Sequence, residues 1–352
     1  MKTKLRRLYL AAASVLVTSC LVIGGWLYLR SRKPPHNFLV DEAHYYVADP
    51  IAGHLHRPHA KFQFPWPEHP KGEITFLTNN LGFREDNDTA IKKAEHTVRI
   101  LVTGDSHTDG VVYNAESFPN LMEEKLNARP GVPRFEVING GVGYYTFQNY
   151  AGFLRKYLEL RPDYFVVTVY LGNDFMEAIQ FAIKRGEIAQ QSRSIWYRMK
   201  LWRAPGPLIS QAGNQLVFFE AYPEMKAKAL EIARAQMKEI QQTCQQHNIQ
   251  LVVVLLPTKV DVEEKARHDA ASSLRLTEAQ LDLNQALKRS LIESLAQDGV
   301  SYLDMTDVMK GKNYDLFWNQ DYHLNDKGHR LVADALFDQI QAGSAMKQSG
   351  RR

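Results

Sequence analysis

A serine, a histidine and a carboxylate can together make and break an acyl bond, and this chain offers one of each, the serine at the end of an apolar run. Ser106 stands in Gly104-Asp105-Ser106-His107, where the β-forming run Val98 to Thr103 stops. A serine hydroxyl is a poor nucleophile at its free pKa and needs a base within hydrogen-bond reach. His323, in Asp321-Tyr322-His323, is the natural base, with Asp321 to fix its tautomer and stabilise the imidazolium. His107 and His329 are rival bases. His107 is too close along the chain to face Ser106 easily, and His329 falls inside a predicted helix. Attack on an acyl carbon creates an oxyanion, whose stabilisation is usually the largest catalytic contribution. Its donors could be the Ser106 amide, the Gly143 amide of Asn139-Gly140-Gly141-Val142-Gly143, and the Asn173 side chain of Gly172-Asn173-Asp174. Each block also has a plain structural reading. Asp105 before Ser106 is an ordinary helix cap, Gly172-Asn173-Asp174 is an ordinary turn, and Asn325 or Asp326 could simply start the last helix with His323 in the loop before it.

The elements that must position these residues alternate in type. Apolar strand-like runs at Val98 to Val102, Phe135 to Ile138, Tyr164 to Tyr170, Gln250 to Leu256 and Ser301 to Leu303 are separated by helical stretches at Phe118 to Leu126, Phe147 to Leu158 and Glu224 to Gln246, with a final helix over Lys327 to Ile340. Strands separated by helices imply crossover connections, hence an α/β fold with a parallel sheet between two helical layers. Ligands bind such sheets at the carboxyl ends of the strands, where every candidate motif falls. Residues 175–224, with Arg193, Trp196, Tyr197, Trp202 and Pro205 to Pro207, read as an insertion beside the mouth of the site.

Taken in order, Ser106, Gly143, Asn173 and His323 resemble the SGNH branch of the GDSL hydrolases, over about residues 97–342. The resemblance implies a three-layer α/β/α fold around a flavodoxin-like sheet of about five strands. It also implies Ser106 as nucleophile, Gly143 and Asn173 as oxyanion donors, His323 as base and Asp321 as its partner. The segment Thr78-Asn79-Asn80-Leu81-Gly82-Phe83-Arg84 looks like the one that precedes the serine block in many bacterial members. Two departures stand out. The acid lies two residues before the histidine where the family more often has three, a position held here by Gln320. The glycine block is one residue short, so the donor could instead be the Tyr144 amide or Gly141. The expected activity is that of a serine esterase working through an acyl-enzyme, with no cofactor or metal required. Its expected substrate is a short acyl ester, such as acetyl, on a cell-envelope carbohydrate. An O-acyltransferase would use the same residues, and a noncatalytic envelope scaffold is the rival of a different class.

At 352 residues, with ordinary hydrophobic and charged fractions, the chain can bury a sizeable core. The net charge of +4 is small and several basic residues crowd the termini; with no interior basic stripe, nucleic acid is not an expected partner. The two cysteines, Cys20 and Cys244, make no disulfide framework. His54, His56, His59 and His69 cluster in a Pro-rich stretch without a ligand pattern of carboxylates and read as a solvated loop rather than a metal site. Leu8 to Leu29 is a weakly polar to apolar run between basic flanks, long enough to cross the hydrocarbon core as a transmembrane signal anchor. Val17-Thr18-Ser19-Cys20 also fits a lipoprotein cleavage box, although the run continues past Cys20. Either reading places the protein at a bacterial inner membrane with its bulk in the periplasm. The expected organisation is a basic stub and anchor over 1–33, a Pro- and aromatic-rich lead-in over 34–95 packed on the main domain, a hydrolase domain over 96–342, and a disordered basic tail over 343–352.

Overall fold

The computed structural model describes the backbone of residues 2–31, 45–128, 133–191, 195–312 and 315–349. The chain divides into two compact units, Met1–Glu42 and Ala43–Arg352. The first holds one continuous helix, Lys2–Ser31. It covers the run expected to span a membrane, but among the described residues no helix is long and apolar enough to do so. Serine, threonine and paired glycine at Ser14, Thr18, Ser19, Gly24 and Gly25 dilute the apolar run.

The second unit is built on a five-stranded parallel sheet. Its strands are β5 (Thr97–Gly104), β6 (Arg134–Asn139), β7 (Tyr164–Tyr170), β8 (Gln250–Leu256) and β9 (Ser301–Asp304), in spatial order β6-β5-β7-β8-β9. Successive side chains of a strand face opposite sides, and the alternation separates two cores. Leu101, Val167, Val253 and Leu255 face one apolar cluster, while Ile100, Val102, Val166, Val252 and Val254 face the other. Both faces are covered, which is why these strands read as unbroken apolar runs. Phe153 and Leu154 of helix Phe147–Lys156, with Ala233, Met237 and Ile240 of helix Glu224–Gln246, fill the first cluster. Met122 and Leu126 of helix Phe118–Asn127, with Val332 and Leu336 of helix Asp326–Ser349, fill the second. The strand order reverses beside β5, which has β6 on one side and β7 on the other, so a crevice opens at the carboxyl ends of β5 and β7.

Three expectations need correction. The last helix continues to Ser349 rather than giving way to a disordered tail after residue 342. Ala345, Met346, Lys347 and Gln348 are good helix formers, and nothing among them stops the helix. The histidine-rich stretch is not a solvated loop either. It forms two antiparallel hairpins, β1 (Tyr46–Asp49) with β2 (Gly53–His56) and β3 (Lys61–Pro65) with β4 (Glu73–Leu77). Tyr45 and Tyr46 pack on His56, and Tyr113 and Trp318 on His69, so both are buried, while His59 alone of the four stays well exposed, against Asp88. Finally, helix Asp174–Lys184 follows β7 directly and packs Phe175 and Ile179 into the core, so the expected insertion begins only after it, with helices Ile195–Arg203 and Asn214–Ala221.

Candidate active site

Ser106 opens a single helical turn, Ser106–Asp109, directly after β5. Asp105 caps that turn, its carboxylate accepting from the His107 amide at 3.0 Å, so the capping role and the presentation of Ser106 coexist. The turn can lie this deep because Gly141, after β6, has no side chain: a Cβ there would fall 2.3 Å from the Asp109 nitrogen.

His323 lies 2.8 Å from the Ser106 hydroxyl through Nε2 and 2.7 Å from Asp321 Oδ2 through Nδ1. The second Asp321 oxygen accepts from the His323 amide at 3.0 Å. Tyr322, between them, has a positive φ of 64°, a left-handed kink that folds the acid back onto the imidazole. That kink is how a two-residue spacing serves where three residues would otherwise be expected. The surrounding loop is tied from several sides. Trp318 Nε1 donates to the Val111 carbonyl at 3.0 Å, Lys259 donates to Asn319 Oδ1 at 2.8 Å, and Glu68 accepts from the Asn319 amide at 2.7 Å and from the Gln320 amide. Asn325 then caps the last helix, accepting from Lys327 and Gly328. The cap expected there and the catalytic geometry are neighbours, not alternatives.

The rival histidines are placed elsewhere. His107 is buried and stacked on Tyr170 with ring centroids 3.8 Å apart, its Nε2 on Gln211. His329 is fully buried in the last helix, its Nδ1 accepting from the Phe118 amide at 3.2 Å. Burial, with Arg84 and His323 nearby, pushes His329 down to about 3.

The nucleophile turn is held from behind by the segment that looked like a family lead-in. Asn79 closes a tight turn by accepting from the Leu81 and Phe83 amides, which delivers Arg84 into the core with no exposure. Arg84 donates to Asp109 Oδ1 at 2.8 Å, to the Asp109, Gly110 and Val112 carbonyls, and to Asn114 Oδ1. His56 reaches the other Asp109 oxygen at 3.1 Å. Burial would raise the Asp109 pKa, but His56 and Arg84 outweigh it and hold the carboxyl below its usual range.

Of the oxyanion donors, Gly143 sits in a turn closed by the Tyr145 amide on the Val142 carbonyl at 3.2 Å. His54 Nε2 lies 2.8 Å from the Gly143 carbonyl. A trans peptide is planar, so this contact also fixes the Tyr144 N–H, which points the opposite way. Tyr144 has φ of 65°, so it fills the left-handed corner where a glycine would be at ease, and its ring is exposed. Asn173 stands at the start of helix Asp174–Lys184 and donates one Nδ2 hydrogen to Glu177 at 3.2 Å; a primary amide carries a second. Burial, with Asp105 nearby, pushes Glu177 up to about 8, and burial brings Asp105 to about 7. For His323, burial disfavours the charged form, but Asp321, with Asp105 and Asp109 behind it, raises the imidazole above its ordinary range. The arrangement can take a proton from Ser106, hold it on an imidazolium beside a carboxylate, and return it to a leaving oxygen.

Sequence reasoning missed Gln211, Glu177 and the clamp made by His56 and Arg84. The Asn79-Asn80-Leu81-Gly82 turn was a visible signal for Arg84. Gln211 had none, because nothing in Ile209-Ser210-Gln211-Ala212-Gly213 sets it apart from the other polar residues around it.

The family described as "SGNH hydrolase-like domain, acetyltransferase AlgX" matches residues 218–352, a range that holds Asp321 and His323. No curated protein matches the chain. Solved structures similar to it include the acetyl xylan esterase AlAXEase, at 16% identity and TM-score 0.43, covering 69% of this chain and 100% of that one. Esterase EstA from Pseudoalteromonas sp. shows 14% identity and TM-score 0.42, covering 70% and 98%. A catalytic mutant of Axe2, an acetylxylan esterase from Geobacillus stearothermophilus, shows 13% identity and TM-score 0.43, covering 69% and 94%.

Proposed function

We propose that this chain is an SGNH hydrolase, an enzyme acting on ester bonds, that removes short acyl groups, acetyl foremost, from a carbohydrate of the cell envelope. The observation that carries the reading is the continuous contact from Ser106 through His323 to Asp321, at 2.8 and 2.7 Å. Ser106 attacks the acyl carbon while His323 takes its proton. The oxyanion is met by the Ser106 amide, by the Gly143 or Tyr144 amide and by the free N–H of Asn173, and His323 returns the proton to the departing sugar oxygen. Water, activated by the same imidazole, then releases the acid. Donors fixed before the reaction stabilise the developing charge without reorganising, which is where most of the acceleration would originate. Helix Lys2–Ser31 exposes Leu10, Val15, Leu16, Leu21, Val22 and Ile23. These side chains favour an apolar surface, and we assign them the role of holding the enzyme at a membrane, on its extracytoplasmic side.

A second reading is transfer, in which a sugar hydroxyl replaces water at the second step. It is favoured by the family description, which names an acetyltransferase. The test is release of chromophore from p-nitrophenyl acetate by the full chain in micelles, with and without an oligosaccharide acceptor, beside Ser106→Ala. Turnover lost in the variant supports the serine mechanism, and acetylated acceptor in place of free acetate selects transfer. Turnover equal in wild type and Ser106→Ala would sink both readings.

A further inference from the structure

The catalytic histidine has a neighbour that the reaction as drawn does not use. Gln211 lies in a short π-helical segment, Ile209–Gly213, a rare geometry that is frequent at functional sites. The segment is pressed onto the oxyanion loop. A Cβ on Gly172 would fall 1.9 Å from the Gln211 carbonyl oxygen, and that same oxygen accepts from the Tyr170 hydroxyl at 2.8 Å. The backbone of residue 211 is therefore fixed by the residues that carry Asn173. Its side chain is buried and bridges two imidazoles, with Oε1 3.0 Å from His107 Nε2 and Nε2 3.2 Å from His323 Nε2.

With the amide oriented in this way, the protons of the bridge can be placed without conflict. In the neutral ring His323 Nδ1 gives its hydrogen to Asp321, and Nε2 keeps a lone pair that accepts from Ser106 and from the Gln211 amide. The Gln211 oxygen can only accept, so His107 carries its proton on Nε2. His107 Nδ1 has no partner, which leaves the bond to Gln211 to choose the tautomer. Tyr170 stacks on the His107 ring and bonds the Gln211 backbone, locking both members of the pair.

We propose that Gln211, with its amide oriented by His107, is a positioning residue that keeps the resting His323 unprotonated at Nε2 and aimed at Ser106. The consequence appears once Ser106 has given up its proton. His323 Nε2–H then faces an N–H of Gln211, donor against donor, so the only acceptors left for that proton are Ser106 and the leaving oxygen. The amide thus opposes Asp321, which favours the imidazolium; Asp105 and Asp109 act with Asp321, and the nearby rings of His107 and His329 complete the titratable groups around the base.

This inference rests on the proposed serine mechanism, and its test separates the two. Full chain labelled with ¹⁵N-histidine is titrated by NMR, and kcat/KM for p-nitrophenyl acetate is followed across the same pH range. Gln211→Glu puts a carboxylate where the amide donor was and should raise the His323 inflection by about one pH unit or more in both readouts, as an opposite charge at that distance does. His107→Phe keeps a ring on Tyr170 but frees the amide to turn its oxygen toward His323, and should raise the inflection by a smaller amount. Plateau rates at high pH should stay within about tenfold of wild type, well short of the roughly 10²–10⁴-fold lost when the acid–base group itself is removed. Folded variants whose His323 inflection matches that of wild type would overturn the proposal. A shifted NMR inflection in a chain without esterase activity would keep it and discard the mechanism instead.

Discussion

Replacing Arg84 by methionine should destabilise the protein more than any change at Ser106, although Arg84 lies behind the proposed site. Methionine keeps the packing of the stem on Phe76, over whose ring the guanidinium lies at 3.9 Å, but removes five donors. Asp109 then remains buried with His56 as its one partner side chain, and the Gly110 and Val112 carbonyls lose theirs. Breaking a buried ion pair from one side costs about 3–5 kcal/mol, because the surviving charge stays desolvated. That is a large part of the roughly 5–15 kcal/mol that stabilises an ordinary domain. Asp109→Asn removes the stranded charge. The double variant Arg84→Met/Asp109→Asn should therefore recover part of the loss, with a coupling energy of about 2 kcal/mol, within the range of residues that share one network. Urea unfolding followed by circular dichroism, for wild type, both single variants and the double, closes the cycle. A loss below about 1 kcal/mol in Arg84→Met, or strict additivity in the double, would refute the account of Arg84 as the counter-charge that fixes the nucleophile turn.

Three further outcomes follow from the geometry. Asp321→Asn should lower kcat by about 10³–10⁴-fold while leaving the fold intact, because the amide no longer fixes the His323 tautomer; a loss under tenfold in stopped-flow turnover would reassign the acid. Since Asp321 holds His323 above the ordinary imidazole range and the base must be neutral to act, kcat/KM should fall as pH drops through an inflection above about 6.5; an inflection at or below 6.5 contradicts the assignment. Glu177 is raised from 4.5 to about 8 in the folded chain, so between those values the folded state holds a proton that the unfolded state has released. Stability should then decline as pH rises across that window, by a few kcal/mol at most, and Glu177→Gln should flatten the slope of Tm against pH. Equal slopes in wild type and variant would show that Glu177 does not titrate there.

Much of the sheet was legible because its strands are buried on both faces. The bounds of β7 and β8 could be read directly from the runs Tyr164 to Tyr170 and Gln250 to Leu256, and the chain order of helices and strands implied the parallel arrangement. Ser106 was legible because it follows a strand, and His323 with Asp321 because a base and an acid stand together just before the last helix; the structure brings all three into contact. What stayed hidden depends on contacts distant in sequence. His56 and His69 looked solvated because their flanking prolines suggested a loop, yet both are buried and bonded to partners more than forty positions away, Asp109 and Glu116. Gln211 becomes informative only once the segment around it is seated against Gly172, and no local pattern encodes that contact. The glycine block remained ambiguous for a related reason. Which amide it offers is decided by the peptide plane that His54 fixes from a separate hairpin.

The left-handed backbone at Tyr322 has a mechanical meaning as well. Asp321 and His323 are joined by one residue, by a side-chain bond and by a side-chain-to-amide bond, so they form a small ring with almost no internal freedom. Trp318 and His323 close the same loop from outside, through the His323 carbonyl on the Trp318 amide at 2.8 Å. Acid and base therefore travel as one rigid piece, and breathing of the loop alters a single coordinate, the gap between His323 and Ser106. A chain with its acid on another strand would have two gaps to keep in register at once. Here the alignment that catalysis demands reduces to one distance, and any motion that regulates the enzyme needs to act only on that.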